Sequence, residues 1–357
     1  MLIFLGLVLF VMLVVVHEFG HMLAAKKGGV EVEEFGIGFP PRAKVLTKKD
    51  GTEYTLNWLP LGGFVKLKGE HDSATGKGTF GAASFPRKAF IIAAGVLMNW
   101  LAAAVIFTVI ALIGMPQLIN NQFRISSDTN VIRQEVLAGS VEADSPASNI
   151  GLKSADRIIS INETKVNTGE ELRSATKKYA GQAVIVTFVH DGQEVIKTTN
   201  LRQDEKRGNF GVAPAEQTLV RSTWSAPIVG VGTTAQFTAE TFKGLGGAVA
   251  NLFTGHASEA GESVTGPVGI VVLLKNLANQ GLVFVLFLIG VISVSLAVMN
   301  VLPIPALDGG RLFVMALFRI LKKPLTKDME EKIHGTGMIV LLLLAALITV
   351  VDVKRFF

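Results

Sequence analysis

The residues best suited to chemistry are a histidine pair near the amino terminus. His17 and His21 stand four residues apart in His-Glu-Phe-Gly-His, so on a helix they share one face and can bind a single metal ion. Glu18 is rotated by about 100° around the helix axis, within reach of a water at that metal. In soluble zinc proteases with this H-E-x-x-H pattern, the glutamate takes a proton from such a water. The spacing therefore predicts a metal site with Glu18 as its base.

The segment that precedes this motif argues against a chance match. An apolar run from Leu2 to Val16 leads directly into it and is apolar enough to enter a bilayer. Ionisable side chains at membrane depth cost about 2.5 kcal/mol or more each, so they are retained there for function. A chance match on a soluble surface helix is the alternative. Without a basic start or a small-residue cleavage site, the segment is predicted to be a retained transmembrane helix rather than a signal peptide.

Composition limits both the class of protein and the choice of metal ligands. The chain is 49% hydrophobic and 18% charged, which indicates a membrane protein with a substantial water-exposed part. Cysteine is absent, so His, Asp or Glu must hold any metal. The net charge of +5 could suggest nucleic acid, but the basic surplus lies beside apolar segments and no nucleic-acid motif is present.

Four apolar segments predict four transmembrane helices, at 2–25, 89–115, 282–302 and 337–351. Lys and Arg outnumber Asp and Glu by 11 to 7 in residues 26–88 and by 5 to 3 in residues 319–332. The long segment 116–281 has 15 against 16. Because basic loops stay inside, we expect a multi-pass protein of the cell membrane with both termini and the long segment outside.

Four regions follow from these patterns. They are residues 1–124, with two helices, the His motif and a β region at 30–70; residues 125–215, a β-rich module; residues 216–281, a connector or clamp; and residues 282–357, with two further helices. In the β-rich module, 184–189 and 194–199 are predicted to be paired strands and 170–179 a helix.

The β region beside the His motif offers a place for an extended peptide. Val45 to Trp58 is predicted to form a hairpin around Lys49-Asp50-Gly51, and Gly62, Gly63 and Phe64 follow in a further extended piece. Exposed strands carry unpaired backbone groups that a substrate could join. The alternative is a small cytoplasmic sheet without a substrate role.

A third metal ligand is needed, because catalytic zinc usually has three protein ligands and an open position. Asp308 follows Pro303 and Pro305, which interrupt the third apolar segment. Backbone groups freed at membrane depth are tolerable only where they line a cavity or are buried in protein. A metal held by two imidazoles would give this carboxylate a partner. Alternatively Asp308 caps the next helix, and the residues alone leave both readings open.

At these motifs the chain resembles the site-2 protease family of intramembrane zinc metalloproteases, in its bacterial regulator-of-sigma-E-protease branch. The motifs are HEFGH at 17–21, PLGGFVK at 60–66, GVLMN at 95–99 and NVLPIPALDGG at 300–310. The β-rich module resembles one PDZ domain, with Ala155-Asp156 where Gly-Asp is usual. The resemblance implies a polytopic α-helical membrane protein of four transmembrane helices, with a cytoplasmic-side β-hairpin region and an extracytoplasmic PDZ domain.

The resemblance also implies roles and partners. His17, His21 and Asp308 would hold Zn²⁺ and Glu18 would be the general base. Asn99 and Asn300 would lie near the substrate backbone or the developing oxyanion, unless they only form interhelical hydrogen bonds. The expected substrate is a transmembrane segment of a single-pass membrane protein, such as an anti-sigma factor, already shortened by another protease. The PDZ domain would act as a size filter or a docking site. The protein as a whole would contact membrane lipid, and nucleic acid is not an expected partner.

Two other functions compete with this one. A non-catalytic PDZ scaffold would use the fold only to bind membrane partners, but such a scaffold has no need of Glu18. A metal or ion transporter would use the interrupted third helix as a pathway. Intramembrane charge confined to one cluster and the lack of an inverted hydropathy repeat argue against the transporter.

Overall fold

The computed structural model describes residues 1–119, 121–203, 208–254 and 265–357. Residues 204–207 of the predicted β-rich module and 255–264 of the predicted connector therefore lie outside the described residues. The chain separates into two compact units. The first comprises Met1–Thr108, Gly230–Ala278 and Val285–Phe357, and the second comprises Val109–Val229 and Asn279–Phe284.

Most strands lie in the first two thirds of the described chain, and its last part is helical. In order they are α1 (Leu2–Lys27), β1 (Val32–Lys49), β2 (Thr52–Leu67), α2 (Phe85–Ile113), β3 (Met115–Pro116), a 3-10 turn (Ser126–Asp128), β4 (Asn130–Val141), α3 (Pro146–Asn149), β5 (Arg157–Ile161), β6 (Thr164–Lys165), α4 (Gly169–Lys178), β7 (Ala183–His190), β8 (Gln193–Asn200), β9 (Val212–Arg221), α5 (Ala226–Phe253), α6 (Pro267–Gln280), α7 (Leu282–Val301), α8 (Asp308–Ile320) and α9 (Lys327–Phe356).

Four of these helices, α1, α2, α7 and α9, are long and apolar enough to cross a membrane. The prediction of four spans is confirmed in that sense, while the side of the membrane that each loop faces stays a prediction. The last helix is longer than the apolar segment that predicted it. Thr326 accepts a hydrogen bond from the Met329 amide, so the helix starts in the charged stretch and continues without a break.

The predicted hairpin is larger than its sequence pattern suggested. Asp50 and Gly51 form its turn with φ of 52° and 76°, the left-handed values that a tight hairpin turn requires. Residues 34–37 pair with 63–66 and also with 53–56, so β1 and β2 fold back into a sheet with 63–66 along one edge. The piece with Gly62, Gly63 and Phe64 is thus part of β2 rather than a separate strand.

The second unit has a core of its own. Its sheet has the strand order β3-β9-β4-β5-β7-β8, with β6 added to β5. The predicted strands at 184–189 and 194–199 are β7 and β8, and the predicted helix at 170–179 is α4. Apolar side chains from the sheet, α3 and α4 pack together, among them Val136, Ala147, Ile158, Leu172 and Phe188.

Candidate metal centre

Two histidine rings and one carboxylate converge in the first unit. The Nε2 atoms of His17 and His21 lie 3.1 Å apart on adjacent turns of α1. Asp308 Oδ2 lies 3.0 Å from Nε2 of His17 and 3.2 Å from Nε2 of His21. The structure therefore brings together the three residues that the sequence predicts as ligands, and both rings are buried, at 7% and 8% exposure.

A pair of glycines carries Asp308 to this point. A Cβ on Gly309 would lie 2.1 Å from the Val301 carbonyl oxygen, and one on Gly310 would lie 1.9 Å from that of Ile304. Only glycine lets α8 begin directly against the interrupted backbone at the end of α7. Asp308 is the first residue of α8 and Leu307 is its N-cap, without a side-chain cap hydrogen bond. The alternative of Asp308 as the helix cap is therefore wrong.

Gly95 of α2 clears the space in front of the rings. A Cβ at this position would lie 2.4 Å from His21 Nε2 and 2.7 Å from His17 Nε2. Gly20 of α1 likewise allows α1 to pack closely against α2, because a Cβ there would lie 2.5 Å from the Ala94 carbonyl oxygen. The two helices therefore approach at glycines, and the cleared volume is directly in front of the nitrogens that would bind a metal.

The residues present fit zinc. Two imidazoles and one carboxylate form the ligand set of a catalytic zinc site that keeps one position open. Asp308 Oδ2 is buried without a hydrogen-bond partner, an expensive state for a carboxylate oxygen unless a cation satisfies it. Among the described residues these three form the one group of His, Asp and Glu with metal-binding spacing.

Glu18 lies between the histidine pair and the edge of the sheet. The backbone amide of Val65 lies near its carboxylate. A Cβ on Gly63 would lie 3.7 Å from Glu18 Cγ, in ordinary contact. Gly62 has φ of 80° and Phe64 covers Gly36, where a Cβ would lie 2.3 Å from its ring. The edge of β2 thus passes next to Glu18.

The two predicted asparagines occupy different environments. Asn99 is 1% exposed, and its Nδ2 lies 3.3 Å from His17 Nδ1, on the side of the ring away from Asp308. Asn300 donates to the Leu296 carbonyl one turn earlier in its own helix, at 3.1 Å. Asn99 of α2 therefore contacts His17 of α1, an interhelical contact of the kind that the alternative to a substrate role predicts. The Asn300 hydrogen bond stays within α7.

Sequence reasoning missed the supports of the Asp308 loop. His334 of α9 accepts a hydrogen bond from the Ala306 amide at 3.0 Å. Ala306 has φ of 79°, a strained value for a residue with a Cβ, so this bond helps to hold the loop. Arg311 pairs with Glu70 at 3.2 Å and with Glu330 at 3.4 Å. No local pattern marks these partners, because each pair spans separate elements.

The sequence of the chain matches a known protein family. Peptidase family M50 matches residues 5–344 of the chain. A Clostridium acetobutylicum protein that carries a zinc metalloprotease name is 30% identical over 352 residues, covering 96% of this chain and 95% of that protein. The zinc metalloprotease RasP of Geobacillus kaustophilus is 26% identical over 432 residues, covering 98% of this chain and 97% of RasP.

One solved structure is similar to part of the chain. The PDZ domain of an SdrC-like protein from Listeria monocytogenes matches with 20% identity and a TM-score of 0.21, over 26% of this chain and 94% of that domain.

Proposed function

Because the chain belongs to peptidase family M50, the site-2 proteases, and is a zinc metalloprotease, we propose that it cleaves a transmembrane segment of another membrane protein. His17, His21 and Asp308 would hold the zinc and Glu18 would be the general base. The observation that carries this proposal is the meeting of two imidazoles and a carboxylate beside Glu18, on a helix apolar enough to span a bilayer.

Peptide hydrolysis assigns distinct tasks to these residues. When bound, zinc supplies Lewis acidity toward the scissile carbonyl and toward water. Glu18 accepts a proton from the attacking water and then delivers it to the departing amine nitrogen. The buried, largely apolar surroundings strengthen each of these electrostatic interactions. The residues of this chain thus provide a complete acid–base cycle for one peptide bond.

A transmembrane substrate must unwind before it is cut, because a helical amide is hydrogen-bonded and sterically covered. The sheet edge at 63–66 supports capture of the extended form. Antiparallel strands alternate the direction of their backbone groups, so the Val65 amide that reaches toward Glu18 puts the backbone groups of Gly63 on the same side. A substrate strand added there would run along the side of β2 that faces the general base.

Replacement of the proposed base tests this function most directly. Glu18→Gln keeps the size and removes the basicity of the side chain, so cleavage of a model single-pass transmembrane protein in detergent or liposomes is expected to fall about 10²- to 10⁴-fold. Zinc content per chain, measured by atomic emission, should stay at the wild-type value. Wild-type cleavage by Glu18→Gln would overturn the proposed mechanism, whatever the metal content.

We propose that the long segment 116–281 and both termini lie outside the cell membrane, since the basic loops 26–88 and 319–332 should stay in the cytoplasm. The lack of native cysteine allows a clean test. A cysteine placed at Lys177 should react with an impermeant thiol reagent in intact cells, and one at Lys49 should not. The reverse labelling would invert the proposed topology.

We propose that the β-rich module is a PDZ-like filter that admits substrates already shortened by another protease, such as a trimmed anti-sigma factor. The outer edge of β9 supports this over a strand-binding receptor. Gln117 donates to the Thr218 carbonyl on that edge, so alternation places Pro214 and Glu216 on it too. Pro214 has no N–H, which removes a donor that an added strand would need.

The start of α4 closes the same edge. Gly169 donates its amide to Glu216 Oε1 at 2.9 Å, and a Cβ on it would lie 2.9 Å from Pro214 Cγ. A pocket of about 270 Å³ remains between α4 and residues 208–214, large enough for a side chain but not for a continuing strand.

Removal of residues 125–215 distinguishes a module that acts as a size filter from one that acts as a substrate receptor. For a filter, the truncated protein should still cleave shortened substrate and should newly cleave the full-length substrate. Slow cleavage of the shortened form, with the full-length form uncut, would overturn the filter and leave the proposed zinc chemistry untouched. Intact zinc binding by the truncated protein is the control for folding of the remaining chain.

A further inference from the structure

We propose that Asn99 is a positioning residue that fixes the tautomer of His17, through its side-chain oxygen. The proposal rests on the assignment of His17 as a zinc ligand through Nε2. An imidazole can bind a metal through Nε2 only when the ring proton sits on Nδ1, and Nδ1 then needs an acceptor. The two histidines of this site meet that need in different ways.

His21 is fixed by the main chain. Its Nδ1 lies 2.8 Å from the Ile91 carbonyl oxygen, which can only accept a hydrogen bond. The proton of His21 must therefore sit on Nδ1, and the lone pair of Nε2 faces Asp308. This contact joins α1 to α2 and leaves no freedom in the choice of tautomer.

Among the described residues, the Asn99 carboxamide is the hydrogen-bonding group at Nδ1 of His17. A carboxamide can present either its NH₂ or its oxygen, and the surrounding hydrogen bonds decide which. With the NH₂ toward His17, at 3.3 Å, Asn99 Oδ1 is buried without a donor. Nδ1 is then an acceptor, so the ring proton would sit on Nε2, the atom that faces Asp308 at 3.0 Å. That arrangement blocks metal binding by His17.

With the carboxamide turned over, both problems are removed. Asn99 Oδ1 gains the Nδ1–H of His17 as a donor, and the lone pair of Nε2 becomes available beside Asp308. Asn99 then does for His17 what the Ile91 carbonyl does for His21. The Asn99 main chain is itself fixed, because Ser293 of α7 donates its hydroxyl to the Asn99 carbonyl oxygen at 2.7 Å. Three helices thus orient one ring.

Three variants of the full-length protein test this role. Asn99→Leu keeps the approximate shape without an acceptor, and Asn99→Asp keeps an acceptor without a donor. Asn300→Leu removes an asparagine whose side chain donates to Leu296 of its own helix. The measured quantities are the zinc dissociation constant, from competition with a chelator, and the visible absorption bands of the Co²⁺-loaded protein. We expect Asn99→Leu to weaken zinc binding about 10- to 100-fold and to alter the Co²⁺ bands.

Rescue by the acceptor is the decisive outcome. Asn99→Asp and Asn300→Leu should bind zinc with wild-type strength and keep the Co²⁺ bands. Wild-type zinc binding by Asn99→Leu would overturn the proposal. So would an equal loss in Asn99→Asp and Asn99→Leu, since a donor or a packing role would then explain both. Zinc binding by His17→Ala distinguishes failure of the ligand assignment from failure of the role of Asn99. If His17→Ala still binds zinc, the ligand set itself is wrong. If His17→Ala loses zinc while Asn99→Leu binds it normally, only the role of Asn99 is overturned.

Discussion

The first unit and the β-rich module place their buried polar groups in different ways. In the first unit, His17, His21 and Asp308 come from distant parts of the chain and meet at a point kept clear by Gly95. In the module, buried polar side chains such as Ser145 and Thr199 are satisfied by hydrogen bonds within the protein. Ser145 exchanges hydrogen bonds with Ser148 in a capping box, and Thr199 donates to the Pro146 carbonyl oxygen at 3.0 Å. The proposed metal site therefore depends on clearance between helices, whereas the module depends on hydrogen bonds that its own groups complete.

The strongest test of this contrast is Gly95→Ala. Its Cβ would lie under 3 Å from both ring nitrogens, so the rings must move away from Asp308. We expect zinc affinity to fall more than about tenfold, with cleavage falling in parallel. Gly246→Ala in α5 is the matched control, because a Cβ there meets no atom within 4 Å. Equal zinc content in both variants would show that clearance does not govern the site.

A smaller effect is expected from Asp128→Ala in the second unit. The Asp128 carboxylate accepts four hydrogen bonds of 2.6 to 2.9 Å from Thr223 and Ser225, just before α5. These donors lower the pKa of Asp128 below its ordinary value of 3.8. We expect faster amide exchange at the start of α5 at pH 7, measured by mass spectrometry, and no change for the exposed Glu163→Ala.

The pH dependence of that effect has a defined sign. A carboxyl whose folded pKa is depressed stabilises the fold fully above its unfolded pKa and loses this contribution as pH falls through the folded value. The difference between wild type and Asp128→Ala should therefore be constant above pH 3.8 and shrink below it. A difference that grows on acidification would contradict the charged-acceptor role of Asp128.

The smallest effect, and the one of opposite direction, is expected from Ala155→Gly. Ala155 has φ of 71°, where the sequence departs from Gly-Asp, and a Cβ in this region costs about 1–2 kcal/mol. Glycine should therefore stabilise the module by about 1 kcal/mol, seen as slower amide exchange in β5 and β7. Ala183→Gly, in an exposed strand position, should destabilise it instead. Faster exchange in Ala155→Gly would mean that this turn carries no strain.

Much of the architecture follows from periodic patterns in the sequence. The four apolar helices and the β7–β8 hairpin repeat simple patterns over many residues, so the hairpin and the first three of these helices were predicted within a few positions. The fourth, α9, starts ten residues before its predicted apolar segment, because its first turns are charged. The His17 and His21 pair was predicted from helical spacing alone. Asp308 needed an argument about an interrupted helix together with the family resemblance, because nothing local ties it to α1.

The remaining features depend on contacts between separate elements. The bond from Ala306 to His334 and the ion pairs of Arg311 join residues that no period relates. The role of Gly95 is equally hidden, since a glycine in an apolar helix has many possible explanations. The extent of β1 and β2 was underestimated because glycine and proline interrupt their alternation, while pairing across the sheet restores them as strands.

The distance in sequence between the ligands also sets the order of events during synthesis. The residues from His21 to Asp308 span 287 positions. At about 5–20 residues per second, the ribosome needs roughly 15 to 60 s to travel from one to the other. With His17, His21 and Asp308 as the proposed ligand set, the chain has only two of its three ligands during that interval. A nascent or truncated chain that lacks Asp308 is therefore expected to be unable to hydrolyse peptide bonds.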